Sequence, residues 1–185
     1  MASWQVIVFL IGTMGLLYIS RQSLGKPRSH GFYRFFAWEF VLALLLLNIP
    51  HWVEDPLAWH QVISWSLLFA SLVPLLLGIR ALRLRGRPDA RARGEPELMA
   101  FERTTRLVTE GVYHYIRHPL YSSLFLLSWG LFFKTPSWAG AVLVLCATIF
   151  LFATAKADEA ECIATFGAEY RQYIQRTRMF IPYLL

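Results

Sequence analysis

Five long apolar runs, separated by short polar segments, dominate the chain. They cover residues 3–19, 35–49, 59–79, 120–133 and 137–155. None of them alternates apolar and polar residues as a membrane barrel strand does. A helix satisfies its own backbone hydrogen bonds in lipid, and about 20 apolar residues cross a bilayer. The pattern therefore predicts an all-α membrane protein with about five transmembrane helices.

The polar segments predict how these helices are arranged. The fourth run is short and is followed directly by Lys134, Thr135 and Pro136, so the last two spans are expected to form a tight helical hairpin. We expect a single membrane-embedded domain over residues 1–185. Its parts are three spans in 1–82, a cytoplasmic connector in 83–118, the hairpin in 119–157 and a cytoplasmic tail of short helices, broken at Gly167, in 158–185.

The basic residues of the loops predict the orientation in the membrane. The first loop is basic and the third, from about Arg80 to His118, carries nine arginines, whereas the second has no Lys or Arg and the fourth only Lys134. This bias places the N-terminus outside and the C-terminus in the cytoplasm. No Lys or Arg precedes the first run and no small-residue cleavage site follows Tyr18, so we expect a retained span and not a signal peptide.

Composition narrows the classes of function. Of the 185 residues, 56% are hydrophobic and 16% are charged, against about a quarter charged in globular domains. The net charge of +6 falls almost wholly between the apolar runs, where topology explains it, so nucleic-acid binding is not expected. Cys146 and Cys162 show neither a disulfide nor a zinc spacing, and no metal site is predicted. The richness in Ala, Leu and Arg indicates a bacterial inner membrane.

A first polar cluster, residues 111–121, stands at the entrance to the fourth run. It packs one Arg, two His and three Tyr into eleven residues. Pro119 suits the first turn of a helix, whose free amide groups would favour an anion near His118. An interfacial anchor of aromatic and basic residues is the alternative interpretation.

A second polar cluster begins with Asp158, Glu159 and Glu161, directly after the fifth run. Anionic lipid would repel carboxylates at an otherwise basic membrane face, so their presence indicates a cationic ligand or an arginine partner. The alternative is a solvated helix exit followed by an amphipathic tail on the bilayer. Because the hairpin joins the two clusters, topology places both at the same membrane face and predicts a shared site.

Glu39 is the one acidic residue well inside an apolar run, a turn or two from the cytoplasmic end of the second span. An acid at this depth is costly and is a functional candidate, and we expect it to pair with Arg80 or with a residue of the third loop. Snorkelling of the carboxylate to the interface is the alternative.

The two clusters resemble the isoprenylcysteine carboxyl methyltransferase family, its bacterial and archaeal relatives and the phospholipid N-methyltransferases. The resemblance is carried by residues 111–121, Asp158-Glu159, Phe166-Gly167, Glu169-Tyr170, Tyr173 and Phe180-Ile181-Pro182. It implies methyl transfer that depends on S-adenosylmethionine, a cofactor pocket closed by the C-terminal tail, and a lipid-like acceptor that enters from the bilayer. The family usually shows two glutamates where this chain has Asp158-Glu159.

The resemblance implies six cofactor-binding residues, which are Tyr113, Tyr115, Arg117, His118, Tyr121 and Glu159. Arg117 and His118, with backbone amides near Pro119, would hold the carboxylate end of S-adenosylmethionine. Glu159 would bind its amino or ribose hydroxyl groups. The rings of Tyr113 and Tyr115 would face the sulfonium, since an aromatic face attracts a cation.

The same resemblance implies that the acceptor is a membrane lipid or a lipidated small molecule. Arg176 and Arg178 would engage an anionic group of the acceptor, and Glu39 is a third candidate for acceptor binding. A carboxylate or thiolate acceptor needs no general base, whereas an amine or a neutral thiol would give its proton to a catalytic His114 or Glu159. The sequence does not choose among a prenylated-cysteine carboxylate, a lipid amine, a fatty acid and a small thiol.

Two other functions remain open at this point. The C-terminal part also looks like the end of membrane sterol reductases, which use a nicotinamide cofactor, although those chains are longer and have more spans. A haem-binding or scaffold protein would need histidines that face each other within spans. All five histidines lie instead in loops or near helix ends.

Overall fold

Six α-helices make up the regular structure in the computed structural model, which describes residues 3–87, 102 and 104–183. They are α1 Ser3–Leu24, α2 His30–Asn48, α3 Trp59–Arg85, α4 Pro119–Phe132, α5 Trp138–Phe166 and α6 Ala168–Arg176. Two short 3-10 turns, Ile49–His51 and Gly111–His114, precede α3 and α4. The described residues contain an isolated β-bridge but no strand. The predicted all-α fold is confirmed.

Four helices, α1, α2 with its following turn, α3 and α5, are long and apolar enough to cross a membrane. α1 packs on α2 and leaves large apolar side chains such as Ile11 and Met14 exposed, as expected of a surface that faces lipid. α4 is apolar but has 14 residues, so it is about 21 Å long against a hydrocarbon thickness of about 30 Å. The five predicted runs thus correspond to four full-length helices and a shorter one in an all-α membrane protein.

One predicted boundary differs from the structure. The cytoplasmic tail was expected to begin at residue 158, but α5 continues without a break to Phe166. After Gly140 this helix contains neither Gly nor Pro, and its last turns are rich in good helix formers, which explains the continuation. The break expected at Gly167 is present, with φ at 59°.

In the predicted connector and its arginine-rich stretch, residues 88–101 and 103 lie outside the described residues.

Local signals set where three helices begin. The hydroxyl of Ser29 accepts a hydrogen bond from the backbone N–H of Phe32, and that of Ser137 accepts one from Gly140, both at 3.1 Å. Pro119 is the first residue of α4, where its missing N–H leaves no intrahelical bond unmade. α4 therefore begins directly after His118.

Small residues let α3 and α4 approach closely. A Cβ atom on Gly78 would lie 3.1 Å from Cγ of Pro119, and one on Gly130 would lie 3.0 Å from Cδ2 of Leu68. Ser64 donates a hydrogen bond to the carbonyl of Gly130 at 2.7 Å. Such contacts are typical of helix interfaces in membranes, where packing replaces the hydrophobic driving force. The Gly78 contact also fixes the start of α4 beside α3, several residues before α3 ends.

A buried lysine lies at the end of the bundle opposite to the start of α4. Lys134, between α4 and α5, has no exposed surface. Its Nζ donates to the carbonyl of Trp52 at 3.2 Å and to Oε1 of Gln61 at 2.9 Å. The same ammonium lies 3.6 Å from the ring centroid of Trp65. Hydrogen bonds and ring faces thus replace the water that a cation normally requires.

Replacing Lys134 with Met is expected to destabilise the protein. The apolar stem stays, but the Trp52 carbonyl and the Gln61 amide oxygen lose a charged donor, at a cost of about 1–3 kcal/mol. Thermal unfolding in detergent measures the loss. The exposed Lys26→Met is the matched control and should change stability by less than about 0.5 kcal/mol. Equal unfolding temperatures for the Lys134 variant and the wild type would contradict the role given to this cluster.

Candidate functional site

The segment that precedes α4 and the segment that follows α6 run side by side at the end of the bundle away from Lys134. Ile116 and Arg178 form a parallel β-bridge. The N–H of Arg117 donates to the Arg178 carbonyl at 2.8 Å, and the N–H of Arg178 donates to the Tyr115 carbonyl at 3.0 Å. The two polar clusters are therefore joined through their backbones. The amide of His118, one of those expected to hold a ligand carboxylate, already donates to Met179 at 3.2 Å.

Arg117 connects three elements at this junction. Its Nε donates to Oε1 of Glu159 on α5 at 2.8 Å, and both side chains are about nine-tenths buried. Its Nη1 donates to the carbonyls of Ile174, at 3.3 Å, and Thr177. These contacts use two of the three nitrogens of the planar guanidinium, Nε and Nη1. Arg117 thus ties the end of α5 to α6 and to the chain after it.

Glu159 is held by cations on both of its oxygens. Oε1 accepts from Arg117, and Oε2 accepts from Nζ of Lys156 at 3.0 Å. The neighbouring Asp158, and not Glu159, is among the residues that line the cavity described below. The structure therefore places Glu159 behind Arg117 and places the Asp158 carboxylate at the cavity wall.

His118 lies buried between these carboxylates and two aromatic rings. Its Nδ1 is 3.4 Å from Oδ2 of Asp158, and its ring stacks on Tyr121 with the centroids 5.4 Å apart. Nε2 is 3.6 Å from Oε1 of Glu159 and has no hydrogen-bond partner among the described residues. Burial lowers the pKa of His118, but the contacts with Asp158 and Glu159 outweigh it and raise this pKa above its usual value.

An inner cavity opens beside this histidine. We define it by Tyr113, Arg117, His118, Asp158, Tyr170 and Tyr173, which are among its lining residues. Its volume is about 80 Å³. Small-molecule sites usually measure about 300–1,000 Å³, so a ligand of that size would extend beyond this cavity.

Buried tyrosines form the apolar wall of the inner cavity. Burial raises the pKa of Tyr113, Tyr170 and Tyr173 above the usual value for a phenol, so these groups stay neutral at physiological pH. The hydroxyl of Tyr173 donates to the carbonyl of Tyr113 at 2.6 Å, which holds α6 against the turn before α4. Neutral aromatic rings held in this way can attract a cation to their faces.

A separate outer cavity of about 320 Å³ contains the remaining predicted residues of the C-terminal clusters. We define it by His114, Tyr115, Gln175, Arg176, Arg178 and Tyr183. The paired segments 115–118 and 178–180 lie between the two cavities. Tyr115 ends the 3-10 turn and lines the outer cavity, whereas Arg117, beyond that turn, lines the inner cavity. The structure thus divides the predicted site residues that line a cavity into two groups.

Glu39 lies apart from both cavities, between α1 and α2. Its Oε2 accepts a hydrogen bond from Thr13 at 2.8 Å, in place of the expected pairing with Arg80. Its Oε1 is buried without a hydrogen-bond partner among the described residues. The sequence could not identify Thr13 as the partner, because α1 shows no polar stripe that would set one face apart.

Several site residues were not predicted. Tyr170 and Tyr173 were not among the predicted site residues, yet both line the inner cavity. Glu102 also lines it and pairs with the buried Arg34 of α2 at 3.2 Å. The spacing of Tyr170 and Tyr173, three residues apart after Gly167, is the signal that could have placed both rings on one helix face. Nothing comparable in the sequence joins Arg34 to Glu102.

The fold and the site define a helical membrane protein with a polar, aromatic-walled ligand cavity where α4 begins. Residues 97–168 match the family model of the phospholipid methyltransferases. This segment is therefore similar to the membrane methyltransferases, and the resemblance read from the motifs is confirmed.

Two curated proteins are similar to part of the chain. Methanethiol S-methyltransferase 1 of Bradyrhizobium diazoefficiens is 37% identical over 79 residues, which are 42% of this chain and 27% of that protein. Methanethiol S-methyltransferase of Crocosphaera subtropica is 33% identical over 78 residues, which are 41% of this chain and 29% of that protein. The chain thus matches less than a third of the length of either relative. No solved structure matches it.

Replacing Arg117 with Lys is expected to loosen the segment after α6. A lysine ammonium keeps the charge but cannot reach Glu159 and two carbonyls as the planar fork does. Amide hydrogen exchange at residues 177–180 should become about tenfold faster or more, which corresponds to about 1.4 kcal/mol of local stability. Exchange in α3 should not change. Arg171→Lys, on the exposed face of α6, is the matched control; equal protection in both variants would contradict the role of Arg117.

Proposed function

We propose that the protein transfers a methyl group from S-adenosylmethionine to an acceptor at the membrane face, with the inner cavity as the cofactor site. One observation carries this proposal. The segment that matches the phospholipid methyltransferases, residues 97–168, includes Tyr113, Arg117, His118 and Asp158, which line that cavity together.

The inner cavity has the chemistry that this cofactor requires. Nε2 of His118, which lies 3.6 Å from Glu159 and has no hydrogen-bond partner among the described residues, and the Arg117 guanidinium supply donors for a carboxylate. Asp158 supplies an acceptor for an ammonium or a ribose hydroxyl. The neutral rings of Tyr113 and Tyr170 supply faces for a cationic sulfonium or an adenine. The residues present therefore fit the group.

Bound in this cavity, S-adenosylmethionine would supply a methyl group on a positively charged sulfur. The protein would contribute positioning and exclusion of water more than acid or base strength. Arg117 keeps the segments on either side of the cavity together, and Glu159 acts through Arg117 as a positioning residue. His114 lies on the outer cavity, so its predicted role as a proton acceptor would require the acceptor group to approach from that side.

We propose a small thiol as the acceptor. The names of the two relatives support this choice. A phospholipid amine is the alternative, and the family model favours it. The outer cavity distinguishes the two acceptors. Arg176 and Arg178 would contact the phosphate of a lipid headgroup, whereas a small thiol would need neither.

The cofactor is tested by calorimetry on protein purified in detergent. His118→Ala removes the imidazole donor and should weaken the binding of S-adenosylmethionine by about tenfold or more, since a hydrogen bond to a charged group contributes about 1.5–3 kcal/mol. Glu54→Gln, an exposed change at the other end of the bundle, is the control and should bind as the wild type does. Binding of a reduced nicotinamide dinucleotide in place of S-adenosylmethionine would favour the reductase.

The acceptor is tested by the transfer of labelled methyl groups to an alkyl thiol and to phosphatidylethanolamine vesicles. We expect label in the thiol product and an unchanged rate for this product in the double variant Arg176→Gln, Arg178→Gln. Label in the lipid, lost in the same double variant, would replace the thiol by the lipid amine. Loss of thiol methylation in that variant would contradict the division of roles between the two cavities.

We propose that the N-terminus lies outside and the C-terminus in the cytoplasm of a bacterial inner membrane. The support is the basic first and third loops and the tail, which carry most of the positive charge. Reporter fusions after residue 56, between α2 and α3, and at the C-terminus test it. A reporter that is active only outside the cytoplasm should be active in the first fusion, and a reporter that is active only in the cytoplasm should be active in the second. The opposite pattern would reverse the topology and place both cavities outside.

A further inference from the structure

His30, Asp158 and Glu161 meet where the start of α2 packs against the last turns of α5. The two carboxylates are three residues apart and share one face of α5. His30, the first residue of α2, is 131 positions before Glu161 in the chain. This distance is why no ligand spacing in the sequence predicts the cluster.

The three side chains are close enough to share an ion. One ring nitrogen of His30 and one oxygen of each carboxylate all lie within 4.8 Å of one another. Atoms bound to a common ion at about 2.0–2.2 Å are at most about 4.4 Å apart. Small rotations of the side chains would therefore complete a coordination shell.

His30 is buried and already turned toward one of the carboxylates. The residue has no exposed surface. Its backbone N–H donates to Oε1 of Glu161 at 2.9 Å, and its Nδ1 contacts Oε2 of the same carboxylate. Nδ1 is therefore the nitrogen that would bind an ion, in place of this contact, and a neutral imidazole nitrogen is the commonest metal ligand in proteins. Nε2, on the other side of the ring, is buried and has no hydrogen-bond partner among the described residues.

We propose that His30, Asp158 and Glu161 bind one divalent transition-metal ion, such as Zn²⁺ or Mn²⁺, that clamps α2 to α5. An imidazole nitrogen with two carboxylates suits these ions better than Mg²⁺ or Ca²⁺, which prefer oxygen ligands alone. The ion balances the two negative charges that the carboxylates bring into this packed region. Asp158 also lines the inner cavity, so the ion fixes one part of the cavity wall. The site stands whether or not the protein transfers methyl groups.

The test measures metal content and not activity. The protein is purified with a tag that contains no histidine, stripped with a chelator, loaded with Zn²⁺ or Mn²⁺ and passed through gel filtration. Bound metal is counted by mass spectrometry, and affinity is measured by competition with a chelating dye. The variants are His30→Ala and the near-isosteric Glu161→Gln. His51→Ala is the matched control, because His51 and Glu54 form another His–Glu pair, exposed and outside this cluster.

The wild type and His51→Ala should each retain one ion per chain, and the ion should raise their unfolding temperature. Affinity should fall by about tenfold or more in His30→Ala and in Glu161→Gln. If His30→Ala does not fold, Glu161→Gln decides, because it keeps the size of the side chain. A wild type that retains no ion, or a folded Glu161→Gln that retains as much as the wild type, would overturn the metal site. Neither outcome bears on the binding of S-adenosylmethionine, so the two proposals fail separately.

Discussion

The contacts of the Arg117 guanidinium are the interaction on which the end of the bundle where α4 begins depends. The guanidinium joins Glu159 of α5 to the carbonyls of Ile174 and Thr177 and so fixes α6 and the chain that follows it. The bridge between Ile116 and Arg178 forms only when the segment before α4 and the segment after α6 are held side by side. The division into two cavities depends on the same arrangement. A buried ion pair of this kind contributes little net stability, because desolvation offsets the attraction. Its effect is to select one arrangement of three segments.

Charge is concentrated at that end of the bundle in pairs that join different segments of the chain. Arg34 of α2 contacts Glu102, His30 of α2 contacts Glu161, and Arg117 contacts Glu159. Each partner comes from a distant part of the chain, so the pairs depend on the tertiary structure and in turn specify it. At the other end Lys134 is surrounded by carbonyl and amide oxygens and by indole rings, with no carboxylate among its contacts in the described residues. The polar interactions therefore differ in kind between the two ends.

Much of the fold could be predicted because lipid imposes one strong constraint. Apolar runs of membrane length must be helices, and the hairpin between α4 and α5 must return both clusters to one face. Gly167 was predicted as a break because only Gly adopts its positive φ without strain. The end of α5 could not be placed, since a helix that leaves the membrane has no local reason to stop before that glycine. The split of Tyr115 from Arg117 was missed because it depends on pairing with residues 178–180, which no local pattern reveals.

The close contact of Gly78 with Pro119 determines how deep the cavity lies. α4 begins level with Gly78, whereas α3 continues to Arg85, which is about 10 Å further along its axis. The start of α4, which lines the inner cavity, is therefore recessed from the end of α3 toward the middle of the bundle. A ligand of this cavity that dissolves in lipid would reach it from the bilayer as well as from water. Its local concentration would then follow its partition coefficient, so selection among ligands would begin in the lipid, before any side chain makes contact.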